Sequence, residues 1–161
     1  VYHPPLKQKG YPLQMTMGHA RHGIHSMWRD DSFLVSLQRG EPDIYVNPDD
    51  AAARKVRDGD LIEVFNDGGS FICMAHLSAG IMPGTLYMYH GWDPTMFRGR
   101  QNFAAVIPTA GLVKPTSVAG DYGHLGYRVL AYAPNQTYRD FTCEFKLHSR
   151  GKVTAAKVRI A

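Results

Sequence analysis

The chain has 161 residues, of which 44% are hydrophobic and 20% are charged. This composition is typical of a globular domain with a core, and it excludes an intrinsically disordered chain. The formal net charge of +4 is compatible with an anionic ligand, but the lysines and arginines are scattered, so we expect no nucleic-acid partner. No stretch has the pattern of a signal peptide or the length of an apolar membrane span, so we expect no direct membrane insertion.

The first part of the chain predicts extended and irregular structure. It begins at Val1 rather than at a methionine, which suggests a processed chain or a piece of a longer protein. Prolines within residues 1–12 exclude a helix and predict an extended linker arm. Residues 13–17 alternate apolar and polar side chains, which predicts a half-buried strand. Residues 27–38 predict a short helix, with caps at residues 30–32 and an apolar face made by Phe33, Leu34 and Leu37.

The middle of the chain carries the clearest local signals. Asn47 is a good N-cap for a helix over residues 48–55, because Pro48 suits the first helical position. Pro83 and Gly84 have the order that a tight turn requires. An Asp-Gly-Gly sequence predicts a hairpin between two of the strands. The strands predicted here cover residues 43–46, 61–65, 71–77 and 85–89.

The last third is less regular. Residues 93–123 are rich in glycine, proline, asparagine and threonine, which predicts a long irregular segment. Strands follow at about residues 127–133 and 140–147, and residues 149–161 form a basic tail. Short strands, tight turns and small helices together predict one mainly β domain over residues 13–148, arranged as a barrel with helices at its ends.

One loop concentrates groups that bind ligands. Residues 15–26 read MTMGHARHGIHS, with glycines at 18 and 23 that let the backbone approach a ligand closely. Arg21 offers a fork of donors suited to phosphate or carboxylate. Histidine side chains that can donate or accept hydrogen bonds stand at His19, His22 and His25. The pattern predicts an anion-binding loop.

Two other interpretations of these histidines stay open. The spacing His-x-x-His-x-x-His could bring imidazole nitrogens to a metal ion, but such sites usually add a carboxylate or cysteine, and the glycines disfavour a helix that would hold the spacing. The histidines could also belong to a polar loop in which they bond to the backbone. The anion-binding interpretation gains only if other parts of the chain converge on the loop.

Several motifs in fixed order form a wider pattern. They are IYVNPDDAA at residues 44–52, VRDGDLIEVFN at 56–66, GGS at 68–70, MPGT at 82–85 and MYHGW at 88–92. Together they resemble the molybdopterin-dinucleotide-binding domain that closes the C-terminus of catalytic subunits in the dimethyl sulfoxide reductase superfamily of molybdenum enzymes. The resemblance covers roughly residues 11–147.

Further motifs are similar to one branch of that superfamily, which holds respiratory nitrate reductase, selenate and chlorate reductases, dimethyl sulfide dehydrogenase and ethylbenzene dehydrogenase. They are His19 and His25, GIHS at 23–26, Tyr89 with His90, KPT at 114–116 and GDYGHLGY at 120–127. The stretches GWDP at 91–94 and FAAVIPTAG at 103–111 resemble ethylbenzene dehydrogenase and similar hydrocarbon or sterol hydroxylases. Nitrate reductase has a further histidine in the segment equivalent to residues 103–111, and this chain does not, which disfavours nitrate reduction.

The resemblance implies a mainly β fold, a double-psi β-barrel of the aspartate-decarboxylase-like type with short helices. It implies a bis(molybdopterin guanine dinucleotide) cofactor with molybdenum, whose metal ligand and whose neighbouring iron–sulfur clusters lie outside this segment. The two cysteines present are too few to hold such a cluster. We expect no catalytic residue and no metal ligand here, and we predict as cofactor-binding positions Thr16, Met17, Gly18, His19, Arg21, His22, His25, Ser26, His90, Gly91, Trp92, Lys114, Pro115, Thr116, Tyr122 and His124.

The function implied is to bind and orient this cofactor in the catalytic subunit of a molybdenum oxidoreductase, a water-dependent hydrocarbon hydroxylase or dehydrogenase. The alternatives are a respiratory reductase of selenate, chlorate or nitrate, and a non-catalytic barrel module that binds an acidic partner. The expected partners are the remaining domains of the subunit and an iron–sulfur electron-transfer subunit, with a haem subunit as a further candidate. The expected setting is anaerobic metabolism in the bacterial periplasm, or alternatively at the cytoplasmic face of the membrane.

Some residues in these motifs have a structural explanation beside a functional one. Helix capping accounts for the residue types at 47–50. His76 falls in a predicted strand, where a hydrogen-bonded structural histidine is expected. Trp92 and Tyr122 suit the core or rim of a barrel, and for His124 binding and structural roles are equally open.

Overall fold

The computed structural model describes residues 10–106 and 141–151, which form a closed barrel of six strands. Around the barrel the strands follow the order β1-β5-β2-β4-β3-β6. Their bounds are Leu13–Gly18 for β1, Asp43–Val46 for β2, Leu61–Asn66 for β3, Gly69–Leu77 for β4, Thr85–Tyr89 for β5 and Phe141–Ser149 for β6. The strands expected between residues 13 and 89 and at 140–147 are therefore confirmed, each to within two residues at either end.

Two pairs of neighbouring strands are parallel. β1 runs parallel to β5, with Met15 opposite Leu86, and β2 runs parallel to β4, with Ile44 opposite Ala75. Parallel neighbours cannot be joined by a tight hairpin, so the chain crosses over between them. The other pairs around the ring are antiparallel. This topology confirms the mainly β, double-psi barrel that the family resemblance implied.

The core fills the inside of the barrel because successive side chains of a strand point to opposite faces. In β1, for example, Leu13, Met15 and Met17 are buried, while Gln14 between them is exposed. All six strands contribute to the largest fully buried side chains, and one further side chain, Val106, comes from the segment after β5. The set is Phe71, Phe145, Leu13, Met15, Ile44, Ile62, Leu86, Met88, Val46, Val64 and Val106. Each such side chain contributes about 1.5–3 kcal/mol, so the barrel gives the loops at its rim a rigid base.

The helix after β2 forms as the cap signal predicts. Helix α2, at Pro48–Ala53, has Asn47 as its N-cap, and the Asn47 side-chain oxygen accepts a hydrogen bond from the Asp49 amide at 2.8 Å. The helix ends two residues before the predicted boundary at 55, because Arg54 is the C-cap and Lys55 takes a left-handed backbone with φ of 57°. The Arg54 side chain reaches Glu144 on β6 instead, with Nη2 to Oε2 at 3.1 Å.

The helix predicted over residues 27–38 is wrong in extent. Helix α1 covers Ser32–Ser36 only, with Asp31 as its N-cap. Left-handed residues stand on both sides, at Trp28 and Arg39, and they end the helical path. Two of the three apolar side chains expected to face a core are exposed, Phe33 to 68% and Leu37 to 48%, whereas Leu34 is half-buried.

The segment after β5 is irregular, as predicted, over the part that the structure describes. It contains two 3₁₀ turns, at Pro94–Met96 and Phe103–Val106. The second turn is tied to the barrel because the side-chain amide of Asn66 donates to the Val106 carbonyl at 2.6 Å. The rest of that segment and the strand predicted at 127–133 lie outside the described residues.

The end of the described chain is fastened to the barrel. The predicted boundary between domain and basic tail lies at residue 148, but β6 continues to Ser149. Arg150 then pairs with Asp60 at 2.7 Å, and the Gly151 amide donates to the other oxygen of the same carboxylate at 2.9 Å. Residues 1–9 of the predicted arm and 152–161 of the tail lie outside the described residues. Among the helices that the structure describes, none has the length and apolar character needed to span a bilayer.

Candidate functional site

The site lies at the edge of the barrel where the parallel strands β1 and β5 end side by side. Gly18, the last residue of β1, is opposite Tyr89, the last residue of β5. The pairing continues one step further, because the His90 amide donates to the Gly18 carbonyl at 3.0 Å. His19 and His90, which are far apart in sequence, therefore leave the barrel at the same point.

Three histidines converge there. The ring centroids of His19 and His90 are 4.4 Å apart, and those of His19 and His25 are 4.9 Å apart. The rings of His25 and His90 are stacked, with centroids at 5.2 Å. One ring nitrogen from each residue lies within 4.8 Å of the others. We call this set, His19, His25 and His90, the histidine cluster. The rings of His19 and His25 are exposed and that of His90 is half-buried, so a ligand can reach them.

A glycine allows the two loops of the cluster to interlock. A Cβ placed on Gly91 would lie 1.9 Å from the carbonyl oxygen of His25, and Gly91 has a φ of +91°. His25 itself has a left-handed backbone with φ of 53°, which is uncommon for a residue with a side chain. The loop 19–28 thus turns back sharply onto the start of the segment after β5, which brings the His25 ring to His90.

A second glycine at the site is required for packing rather than for backbone freedom. A Cβ on Gly18 would lie 2.1 Å from the hydroxyl oxygen of Tyr87, a half-buried residue of β5. Burial and the nearby Tyr89 raise the pKa of Tyr87, so its hydroxyl stays neutral across the physiological range. Gly18 therefore lets the end of β1 lie flat against the Tyr87 side chain.

Arg29 holds the two loops together, and the sequence pattern did not reveal it. Its Nη2 donates to the His90 carbonyl at 3.2 Å, and its Nε donates to the Gly91 carbonyl at 3.3 Å. Its guanidinium also stacks over the Trp92 ring, 4.0 Å from the centroid. Burial lowers the pKa of Arg29, although an arginine remains charged at any physiological pH. The Arg29 side chain therefore holds the backbone of His90 and Gly91 in place.

The same arginine links the site to helix α1. Its Nη1 donates to the Gln38 side-chain oxygen at 2.7 Å, and the Gln38 amide donates in turn to the His22 carbonyl at 3.2 Å. His22 enters this network through its backbone carbonyl. No local signal could have shown this, because Arg29 falls in a segment whose residues predicted a helix.

Most of the chain matches a family model. Residues 13–124 match the model described as the molydopterin dinucleotide binding domain. The chain belongs to this family. The expected cofactor class is thereby confirmed, and the alternative of a barrel module without a cofactor is not supported. The matched range begins at β1, includes the whole histidine cluster and extends past the described residues at 106.

Curated relatives of this molydopterin dinucleotide binding domain are alpha subunits of larger proteins. The chain is 36% identical over 135 residues to the dimethylsulfide dehydrogenase subunit alpha of Rhodovulum sulfidophilum, covering 84% of the chain and 15% of the relative. It is 31% identical over 139 residues to the chlorate reductase subunit alpha of Ideonella dechloratans, covering 86% of the chain and 15% of the relative. A respiratory nitrate reductase subunit alpha from Haloferax mediterranei is 40% identical over 108 residues, or 67% of the chain and 11% of the relative. The chain thus spans about 15% of the length of the first two relatives.

Among solved structures, acetylene hydratase from Pelobacter acetylenicus has a similar fold. The TM-score is 0.55 and the sequence identity is 22%, over 67% of this chain and 17% of that one. At this identity the likeness supports the barrel fold alone.

The structure places the predicted cofactor positions in different surroundings. The cluster histidines, with Gly18 and Gly91, lie together at the barrel edge. Beside them in the loop, Arg21 and Ser26 are exposed and His22 is half-buried, while Thr16 is half-buried in β1. Met17 and Trp92 lie in the hydrophobic core, so their side chains face the barrel interior or its rim rather than open solvent. Positions outside the described residues are Lys114, Pro115, Thr116, Tyr122 and His124.

The residues present fit a pterin. The histidine cluster offers ring nitrogens that can donate or accept, and a reduced pterin presents ring nitrogens and carbonyls that need such partners. Trp92 adds a further donor, since its buried Nε1 has no hydrogen-bond partner within the described residues. A buried donor of this kind usually has a ligand, a water or another protein group as its partner.

His76 has the structural role that was expected. Its Nδ1 lies 3.1 Å from a carboxylate oxygen of the buried Asp43, and its ring stacks on Tyr45 with centroids 4.2 Å apart. Burial raises the pKa of Asp43, and the hydrogen bond to His76 partly opposes that rise. This pair lies on β2 and β4, apart from the edge that β1 and β5 form.

Proposed function

We propose that this domain binds and orients a bis(molybdopterin guanine dinucleotide) cofactor in the catalytic subunit of a molybdenum oxidoreductase. The observation that carries the proposal is the convergence of His19, His25 and His90 at one barrel edge, within a chain whose family binds a molydopterin dinucleotide. The bound cofactor supplies the two-electron chemistry of its molybdenum. The protein supplies position, hydrogen bonds and charge.

Each part of the loop has a separate task in this proposal. The imidazoles of the histidine cluster bond to the pterin edge, because an imidazole ring can both donate and accept a hydrogen bond. Arg21 is exposed in the same loop and has the geometry to hold a phosphate oxygen pair. Hydrogen bonds from the cluster to the pterin also tune the electron density at the metal, as groups around a metal site generally do.

Arg29 acts as a positioning residue. It holds the carbonyls of His90 and Gly91 without being part of the exposed cluster. Because its guanidinium is also stacked on Trp92, it cannot shift without moving the rim of the core. The backbone at His90 and Gly91 is thus held in place before the cofactor arrives, which lowers the entropic cost of binding.

The expected partners are the remaining domains of the same subunit. Large apolar side chains are exposed along the segment that carries the site loop and helix α1, namely Ile24, Met27, Trp28, Phe33 and Leu37. Soluble proteins rarely leave such groups uncovered unless another surface packs on them. The relatives are alpha subunits of which this domain makes up about 15%, which supports contacts with further domains. An iron–sulfur subunit and a haem subunit are further partners that we propose from the family resemblance.

For the whole enzyme we propose a water-dependent hydroxylation or dehydrogenation of a hydrocarbon-like substrate. The support is the GWDP sequence at 91–94 and the absence of histidine from residues 103–111. A dehydrogenase alpha subunit among the relatives agrees with this direction of electron flow. Reduction of an oxyanion is the second candidate, because chlorate and nitrate reductase alpha subunits are similarly related to the chain.

Cofactor content tests the central proposal. His25→Ala and His90→Ala should each lower the molybdenum and guanine content of the purified protein, measured per mole of protein by mass spectrometry and by nucleotide release. His148→Gln is the matched control, since His148 is an exposed histidine of β6 outside the cluster. Full cofactor content in both cluster variants would contradict the proposal.

The substrate proposal needs the complete enzyme. Alkylbenzenes should reduce an electron-accepting dye in its presence, whereas chlorate, selenate and nitrate should not oxidise a reduced viologen. The reverse result would establish the reductase alternative.

We also propose a periplasmic location, with the cytoplasmic face of the membrane as the alternative. Cells are converted to spheroplasts, and the enzyme activity is measured in the released periplasmic fraction and in the membrane fraction to distinguish the two.

A further inference from the structure

We propose that the histidine cluster is also a Zn²⁺ site in protein that has not received its cofactor. Imidazole is a good ligand for Zn²⁺ and for neighbouring late transition metals. His19, His25 and His90 each offer one nitrogen, and these nitrogens lie within 4.8 Å of one another. Sites with three protein ligands leave the fourth tetrahedral position for water, and the exposure of His19 and His25 is compatible with such a site.

The ligand set differs from the one that the sequence spacing suggested. A His-x-x-His-x-x-His site would use His22, but the structure brings in His90 from the far end of β5 in its place. His22 instead contributes its backbone carbonyl to the Gln38 side chain. The objection that glycines prevent a helical ligand spacing therefore does not apply, because the site is built from two loops rather than one helix.

The geometry requires a small contraction. With zinc–nitrogen distances of about 2.0–2.1 Å, tetrahedral ligands stand roughly 3.4 Å apart, so the widest pair must approach by about 1.4 Å. The side chains of His19 and His25 are exposed and can change rotamer to do so. The backbone need not move, since the His90 amide is held by Gly18 and the His90 carbonyl by Arg29.

Charge near the site does not prevent cation binding. The guanidinium of Arg29 is engaged with the His90 and Gly91 carbonyls and with the Trp92 ring. The side chains of His19 and His25 are exposed, so solvent screens the remaining repulsion. Imidazole is a neutral ligand, so the ion keeps its full positive charge and can polarise the water bound to it.

Zinc and pterin would compete for the same nitrogens, and this consequence alone rests on the proposed function. Binding of Zn²⁺ to cofactor-free protein does not rest on it. A zinc-loaded domain would be a protein into which the pterin cannot be inserted until the metal is removed.

The test uses the natural protein that contains this chain, purified from cells unable to make molybdopterin. Zinc alone and cobalt alone are titrated by calorimetry and by visible absorption, because tetrahedral Co²⁺ gives intense bands. Cysteines elsewhere in that protein can also bind these ions, so the measured quantity is the difference between the parent and its variants. His19→Gln, His25→Gln and His90→Gln should each remove one equivalent of tight binding, weakening it at least tenfold, while His148→Gln retains it.

The inference would be overturned if all three cluster variants kept the equivalent of tightly bound metal, or if His148→Gln lost it to the same extent. If His90→Gln fails to fold, the exposed positions His19 and His25 still decide the matter. The two proposals fail separately. If zinc binding depends on the cluster but cluster variants keep their full cofactor content, the proposed function alone is contradicted. If cluster variants lose cofactor but zinc binding does not depend on the cluster, the zinc site alone is contradicted.

Discussion

The carbonyl oxygen of His25 lies against Cα of Gly91, at a place where a Cβ would stand only 1.9 Å from the oxygen. This contact joins the loop after β1 to the segment after β5. The geometry of the histidine cluster therefore depends on a residue without a side chain, which itself carries no ligand group.

We expect Gly91→Ala to open the cluster. The new methyl group would collide with a backbone carbonyl, which cannot turn aside as a flexible side chain can, so the loop 19–28 must move. Cofactor content should fall several-fold, and the free energy of unfolding should fall by about 1–3 kcal/mol from backbone strain. Gly99→Ala is the control, because Gly99 also has a positive φ of 75° but has no atom within 4 Å of the added Cβ. Equal loss of cofactor in both variants would show that strain, and not the collision, matters.

We expect Arg29→Lys to loosen the site although it keeps the charge. An ammonium cannot reach both the His90 and Gly91 carbonyls while also stacking on an indole, since it lacks the planar fork of guanidinium. Loss of the hydrogen bonds should cost about 1–3 kcal/mol and speed hydrogen exchange in residues 19–28.

Arg98→Lys provides the control for Arg29, since the Arg98 side chain pairs with Glu41 on the surface. Exposed ion pairs contribute little to stability, so exchange rates near the site should not change. Unchanged exchange in Arg29→Lys would mean that the arginine does not hold the loop.

The barrel was predictable because its signals are local. Alternation identified β1, Asn47 and Pro48 marked the start of α2, and the glycine turns marked the hairpin and the turn before β5. Helix α1 was predicted too long, because the periodic spacing of Phe33 and Leu37 does not reveal that left-handed residues at Trp28 and Arg39 interrupt the helix.

The site was predictable only in part, for a related reason. The family pattern named His19, His25 and His90, but their convergence depends on the parallel register of β1 with β5, which no local pattern encodes. Arg29 was missed because its targets are backbone carbonyls more than sixty residues away. Every residue has a backbone carbonyl, so the sequence does not show which carbonyl accepts a hydrogen bond.

The two buried thiols should be unreactive in the folded protein. Burial raises the pKa of Cys143 to about 12 and raises that of Cys73 well above its usual value, so almost no thiolate exists at neutral pH. A maleimide or disulfide reagent should therefore modify Cys73 and Cys143 only as fast as the barrel opens. Adding urea should accelerate modification in parallel with loss of the barrel circular dichroism signal. Rapid labelling of either thiol without urea would contradict the closed barrel.

The carboxylate of Asp60 should give the domain part of its stability towards acid. Burial pushes its pKa up, but hydrogen bonds from the Gly151 and Arg57 amides and from the Arg150 guanidinium outweigh burial and hold the pKa below its usual 3.8. A pKa that is lower in the folded state adds stability above about pH 4, and this stability is lost as the pH falls through the folded value. Asp60→Asn should therefore lower the free energy of unfolding by about 1–3 kcal/mol at pH 7 and flatten its decline as the pH falls below about 4. Urea unfolding across this range measures both effects, with Asp30→Asn, at an exposed loop position, as the control. An unchanged acid slope in Asp60→Asn would show that other carboxylates bind the protons that unfold the barrel.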